Sequence, residues 1–218
     1  MRAGRGVALA LVATVAGCGT AASPATLHAA PSTYLLSVDQ LVAPDFTVDQ
    51  PVHPLSITDA AAGDTAKAGQ LAGAGFTVGA AVDFFRQAAN LAVVNGPVQI
   101  GDTVEEFGSA AGAATLLGKD IARLDNVAGA VAVSTGSLGE AAHAVTRALV
   151  EPTSGVRVVE ITIEWRVGNL LDILVVRGRD GGMRPDDALV LAHNQTASEL
   201  GLATPTPLPA ARRSPTPS

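Results

Sequence analysis

The clearest pattern in the chain is a strict alternation of apolar and polar side chains between residues 159 and 167. A period of two is typical of a strand with one buried face. Gly168-Asn169 follows and predicts a two-residue hairpin loop of the II′ type, after which residues 170–177 form the returning strand. The alternating apolar positions are Val159, Ile161, Ile163, Trp165 and Val167.

A two-residue loop would place Asp172 opposite Trp165 on the apolar face of the hairpin, and Glu160 opposite Arg177 on the reverse face. A carboxylate on an apolar face is unfavourable unless it is paired, solvated or protonated. Three interpretations are open: Asp172 lines a pocket, this end of the face opens to solvent, or the loop is longer and Asp172 points outward. We favour solvent exposure or the longer loop over the pocket.

Residues 109–124 carry apolar side chains at helical spacing, and Ser109 is a typical N-cap for this helix. On the same helix, Lys119, Asp120 and Arg123 are expected to face away from the core.

Two further helices complete the helical part of the predicted fold. The first, at 185–200, begins with Pro185, which suits the first helical position, and the second, at 58–73, is rich in Ala but interrupted by glycines. The remaining strands are expected at 45–50, 78–87, 97–107 and 142–151. This order predicts an α+β single domain over residues 34–203, in which an antiparallel sheet of about five to six strands carries three helices.

The amino-acid composition indicates the kind of core and excludes one class of partner. Apolar residues make up 48% of the 218 residues and aromatic residues only 3%, so the core must be mainly aliphatic. The formal net charge is -6, and all 20 acidic but only 10 of the 14 basic residues lie between Asp39 and Glu199. A body this acidic repels phosphate backbones, and nucleic acid is therefore not an expected partner.

The N-terminus has the layout of a secretory signal. Arg2 and Arg5 precede the short apolar run Val7–Val15, which is far shorter than the ~20 residues that span a bilayer. The chain has one cysteine, Cys18, placed just behind this run, so no internal disulfide can form.

The sequence Val15-Ala16-Gly17-Cys18 closely resembles a bacterial lipobox. The resemblance implies a signal peptide of residues 1–17, cleavage between Gly17 and Cys18, and a thioether-linked diacylglycerol on Cys18. Two acyl chains suffice for stable anchoring, which predicts a cell-membrane protein facing outside the cytoplasm. The alternative is an ordinary secretory signal that is cut after Thr20-Ala21-Ala22.

Both flanks of the domain read as linkers. Residues 18–33 are small, polar and Pro-containing and predict a flexible tether behind the lipidated cysteine, and residues 204–218 predict a disordered Pro-rich tail.

The motifs of common enzymes are missing from the sequence. It contains no G-x-S-x-G elbow, P-loop or G-x-G-x-x-G fingerprint, and its four histidines are scattered. Glu105 and Glu106 are adjacent on a strand, so they point to opposite faces and cannot act as a pair. We therefore expect no catalytic residues, no metal and no cofactor.

Four segments together are similar to a group of actinobacterial-type lipoproteins and to the extracellular sensor domain of mycobacterial receptor serine/threonine kinases. The segments are "FGSAAGAATLL" (107–117), "GSLGEAA" (136–142), "EWRVGNLLDILV" (164–175) and "LAHNQTASEL" (191–200). The resemblance covers about residues 35–201 and implies an α+β domain with a cleft for a small ligand or envelope component. The chain lacks the cysteine pairs of the kinase sensor domains.

Three functions are therefore compared. The first is a lipid-anchored binding module with a cleft near Trp165, Arg166, Asn169 and Asp172. The second is an interaction or structural envelope lipoprotein, which would show an exposed apolar patch and no deep pocket. The third is an enzyme, for which His143 beside Asp172 would be the diagnostic observation.

Overall fold

The computed structural model describes residues 26–41, 43, 45–87 and 93–202. The predicted signal peptide, Cys18 and the tail at 204–218 lie outside the described residues. No helix in the described part is long and apolar enough to cross a membrane.

The described residues form an α+β domain built on one antiparallel sheet, which confirms the predicted fold class. The strands are β1 (Phe46–Leu55), β2 (Phe76–Arg86), β3 (Pro97–Phe107), β4 (Val131–Val133), β5 (Ala141–Val150), β6 (Arg157–Val167) and β7 (Leu170–Arg179). The helices are α1 (Ile57–Ala60), α2 (Thr65–Ala74), α3 (Ala110–Asp125) and α4 (Pro185–Glu199). In the sheet the strands lie in the order β1-β2-β3-β7-β6-β5-β4.

Seven strands and four α-helices in the described part exceed the expected five to six strands and three helices. The helix predicted at 58–73 divides into α1 and α2, because Ala62 and Gly63 adopt φ values of +48° and +80°. Asp64 then begins α2 by accepting hydrogen bonds from backbone N–H groups of its first turn. The extra strand, β4, has only three residues, too few to show an alternating pattern.

The two long helices form as predicted. Ser109 caps α3 through its Oγ, which accepts a hydrogen bond from the backbone N–H of Gly112 at 3.1 Å. Helix α4 begins at Pro185, and the Asp187 carboxylate accepts a hydrogen bond from the backbone N–H of Arg184 at 2.9 Å.

The hairpin between β6 and β7 has the predicted two-residue loop. Gly168 adopts φ +60°, as the first loop position of a II′ turn requires. Trp165 pairs with Asp172 and Glu160 pairs with Arg177, as expected from this loop. Asp172 is nevertheless fully buried, so both favoured interpretations, an opening to solvent and an outward-pointing side chain, are wrong.

The two faces of the sheet are covered differently. Helix α4 packs on the face that carries Trp165, and the main apolar core lies between them. On the opposite face, α2 and α3 form a smaller core with Phe107 and Leu171 at one end of the sheet. The middle of that opposite face is left open.

Residues 26–41, which we call the N-terminal strap, pack against the domain. The Leu27 N–H donates to Asn169 Oδ1 at 2.7 Å, and the Asn169 amide nitrogen donates to the carbonyls of Leu27 and Phe107, each at 3.2 Å. Farther along the strap, the Leu36 N–H donates to Asp102 Oδ2 at 2.7 Å. Within the segment 18–33 that the sequence predicts as a tether, the backbone of Leu27 is thus in contact with the buried Asn169 side chain.

The contact between α2 and α3 gives a testable prediction about packing. A Cβ on Gly112 would lie 2.0 Å from the Ala74 carbonyl oxygen, whereas a Cβ on Gly118 of the same helix meets nothing within 4 Å. Gly112→Ala should lower the free energy of unfolding by about 1–3 kcal/mol, because the helices must separate. Gly118→Ala should raise it by about 0.5–1 kcal/mol, since Ala is the better helix former.

Urea unfolding of both variants measures these changes. A Gly112→Ala variant as stable as Gly118→Ala would contradict the described packing of α2 on α3.

Candidate functional site

The open middle of the sheet forms a cleft of about 500 Å³, which we call the sheet cleft. Its floor comes from the long strands β3, β5, β6 and β7, and its walls come from α1, α2 and α3, which cover only one end of this face. The cleft continues into a neighbouring hollow of about 300 Å³, with which it shares Ile173 and Val175. Volumes of this order suit a small-molecule ligand.

An ion-pair network forms one wall of the sheet cleft. Lys67 Nζ of α2 lies 2.9 and 2.7 Å from the two carboxylate oxygens of Asp120. Arg123 donates to Asp120 at 3.1 Å and to Glu164 Oε1 at 2.8 Å, linking α3 to β6. Asp120 is only 1% exposed, so the expectation that it faces away from the core is wrong. Its partner Lys67 supplies the compensating charge that makes this burial tolerable.

Two glutamates on the floor of the cleft are incompletely paired. Glu105 and Glu164 are 2% and 1% exposed, and the Oε2 atom of each lacks a hydrogen-bond partner among the described residues. Burial raises the pKa of Glu105 to about 7, and the charges of Asp120 and Glu164 add to the rise. Burial likewise raises the pKa of Glu164 to about 7, with Asp120 again adding to it. The floor thus holds carboxyl groups whose charge the surrounding cations do not fully offset.

Another glutamate in the same cleft is fully paired. Glu160, 4% exposed, accepts a hydrogen bond from Arg147 Nε at 2.7 Å and from Arg177 Nε at 2.6 Å. Two guanidinium groups therefore flank this one carboxylate, in contrast to Glu105.

The four residues predicted from the sequence as ligand-binding lie away from the sheet cleft. Trp165 and Asp172 are fully buried on the opposite face under α4. Arg166 is ion-paired with Glu140 at 2.6 Å, and the Asn169 amide is occupied by the N-terminal strap and β3. All four belong to the β6–β7 hairpin, and none of them lines the sheet cleft or the neighbouring hollow.

Sequence reasoning separated Glu105 from Glu106 but missed that Glu105 shares a face with Glu164. Only the strand register reveals this shared face. Glu105 pairs with Leu171 and Glu164 pairs with Ile173, and these two partners lie two residues apart on the intervening strand β7. His143 pairs with Asp125 at 2.9 Å rather than lying beside Asp172.

A second group of acidic side chains lies buried beneath α4. Asp172 and Glu199 are 0% and 6% exposed, and their carboxyl groups lie within hydrogen-bonding reach of each other, with no other donor to them in the described part of the chain. Burial and the neighbouring Glu199 raise the pKa of Asp172 well above its usual range, and burial raises that of Glu199 to about 8. Two buried carboxyls of this kind are stable together when they share a proton.

Asp102 is the third acid of this group and contacts the strap. Burial raises its pKa to about 7, although the hydrogen bond from the Leu36 N–H favours the ionised form. Within the described residues, no three His, Cys, Asp or Glu side chains are arranged to hold a metal ion.

The acids under α4 predict that stability depends on pH. Their folded-state pKa values are raised, so between about pH 4 and pH 8 the folded chain binds more protons than the unfolded chain. The free energy of unfolding should therefore fall as pH rises from 5 to 8, by about 2 kcal/mol or more. Glu199→Gln removes one titrating group and should reduce this fall by about 1 kcal/mol or more.

Urea titrations at a series of pH values test this dependence. Glu151→Gln is the matched control, because the pKa of exposed Glu151 is lowered to about 2 by hydrogen bonds from Ser154 and Thr153. Its contribution to stability changes with pH only below about 4.5, so Glu151→Gln should leave the slope between pH 5 and pH 8 unchanged. Equal pH slopes for wild type and Glu199→Gln would contradict the shared-proton arrangement.

The ion-pair network gives a further prediction. Lys67→Met leaves the buried Asp120 without its main partner and should lower the free energy of unfolding by about 2–4 kcal/mol. Arg184→Met breaks the pair with Asp186, in which both side chains are more than 70% exposed, and should change it by less than about 0.5 kcal/mol. Similar denaturation midpoints for the two variants would show that the network does not hold α2 in place.

Comparisons with known proteins identify a relative in fold. The domain is similar to the crystal structure of the extracellular domain of PknH from Mycobacterium tuberculosis, with a TM-score of 0.54 and 16% sequence identity. The match covers 82% of this chain and 98% of that one. No protein-family model matches the chain, and no curated protein matches it significantly. At this level of identity, the likeness establishes a shared fold.

Proposed function

We propose that this protein is a lipid-anchored, extracytoplasmic binding module whose ligand site is the sheet cleft. The observation that carries the proposal is a cleft of about 500 Å³ with buried, incompletely paired carboxyl groups on its floor. Evolved structures rarely leave such groups without a partner, because an unpaired buried carboxyl lowers stability. A bound ligand would supply the missing partner.

Two further observations support the location. The lipobox-like sequence ending at Cys18 follows a short apolar run, as in an exported lipoprotein. The fold is similar to that of the extracellular domain of PknH, which agrees with a domain that works outside the cytoplasm.

The alternative of an interaction or structural lipoprotein fits less well. It requires one contiguous exposed apolar patch. Large exposed apolar side chains in the described residues are instead dispersed, with Val48 and Val52 on β1 at one edge of the sheet and Val131 on β4 at the other. We propose no enzymatic activity for the chain.

A variant that fills the cleft tests the binding function. Thr162 lies on the cleft floor in the middle of β6 and takes part in none of the ion pairs described above. The chain from residue 18 to 218, with Cys18→Ser, is screened by thermal shift against envelope components and metabolites. At least one compound should raise the melting temperature, and Thr162→Trp should abolish that rise.

Val131→Trp is the matched control, because it adds the same side chain on an exposed edge strand and should leave the shift unchanged. A broad screen without a stabilising compound, or shifts that survive Thr162→Trp, would overturn the proposed site.

The anchor is tested by mass spectrometry of the protein purified from bacterial membranes. The proposal expects a chain that begins at Cys18 and carries a diacylglycerol, and expects Cys18→Ser to yield an unlipidated precursor that retains residues 1–17. A water-soluble chain that begins at Ser23 would instead establish the ordinary secretory signal.

A further inference from the structure

Resting on the proposed function, we infer that the sheet cleft selects small molecules that carry a primary ammonium group, which docks between Glu105 and Glu164.

The first argument concerns the cations around the cleft. Lys67 and Arg123 are held by Asp120 and Glu164, and Arg147 is held by Glu160. The charge of these cations is already offset by buried carboxylates, so an anionic ligand would gain little net attraction from them. The cleft therefore offers no ready site for an anion.

The second argument concerns the groups that remain. The Oε2 atoms of Glu105 and Glu164 are buried and receive no hydrogen bond from any group in the described residues, whereas Glu164 Oε1 is bound by Arg123. Both side chains line the cleft and are at least nine-tenths buried. The unsatisfied polar atoms of this site are therefore carboxyl oxygens, which need a hydrogen-bond donor or a positive charge.

The third argument concerns the kind of donor. The residues around the cleft do not provide the three ligating side chains of a metal site within the described chain. An ammonium group is compact, positively charged and has three donors, so one such group can serve both glutamates. A neutral apolar ligand would leave both carboxyls unpaired and would bind poorly.

The position of Glu105 makes the inference testable without damage to the fold. Because Glu105 has no ion-pair partner in the described structure, Glu105→Gln removes its charge while keeping its size and breaks no internal bond. The adjacent Glu106 lies on the other face of β3, away from the cleft lining, so Glu106→Gln is a matched control for charge.

The experiment compares amines with matched alcohols by isothermal titration calorimetry, on the chain from residue 18 to 218 with Cys18→Ser. One arm pairs glucosamine with glucose, and the other pairs 1,4-diaminobutane with 1,4-butanediol. In at least one arm the amine should bind about tenfold or more tightly than its alcohol, the ratio expected for a hydrogen-bonded charge. The arm that responds distinguishes an amino sugar from an aliphatic amine.

Glu105→Gln should weaken binding of that amine by about tenfold, and Glu106→Gln should leave it within about twofold. Equal binding of amine and alcohol in both arms, or amine binding that is indifferent to Glu105→Gln, overturns the inference. A neutral or anionic compound from the thermal-shift screen that loses binding in Thr162→Trp would overturn the ammonium preference while supporting the cleft as a ligand site. Failure of every compound in that screen would instead overturn the proposed function.

Discussion

The register in which β6 pairs with β7 decides which face of the sheet Glu164 and Asp172 occupy, and with it the composition of both acidic groups. The two-residue loop at Gly168-Asn169 fixes that register, and Gly168 can adopt the required positive φ without strain. Asp172 consequently faces α4 beside Trp165, while Glu164 faces the cleft. A slip of one residue would send every side chain of one strand to the wrong face. The loop also places the Asn169 amide where it holds the N-terminal strap.

The domain buries acidic side chains on both faces of its sheet and stabilises them by different means. Under α4, Asp172 and Glu199 have no cation nearby among the groups that influence their pKa values, so protonation keeps them neutral. In the sheet cleft, Lys67 and Arg123 offset Asp120 and part of Glu164. Glu105 is neither ion-paired nor kept fully protonated, because its pKa is only about 7. This difference makes the cleft, rather than the α4 face, the candidate site.

The sequence predicted local features well and long-range ones poorly. The hairpin loop, the Ser109 cap and the strand alternation depend on neighbouring residues, and each was confirmed. Asp120 was misplaced because its partner Lys67 comes from another helix, 53 residues earlier in the chain. The burial of Asp172 depends on packing by α4, the last helix in chain order, which the local sequence around Asp172 does not reveal. The contact between Asn169 and the backbone of Leu27 was not predicted, because the small residues of this segment carry no sign of it.

The central claim is that the cleft floor holds two carboxyl groups, Glu105 and Glu164, that the protein's own cations compensate only in part. A carbon-13 NMR titration of the side-chain carboxyls, assigned through Glu105→Gln and Glu164→Gln, measures this directly in the unliganded chain. The account predicts that Glu105 and Glu164 titrate near pH 7, because burial raises the pKa of each to about 7. Titration of both groups at the ordinary glutamate pKa of about 4.3 would show a solvated or fully compensated floor and would contradict the account.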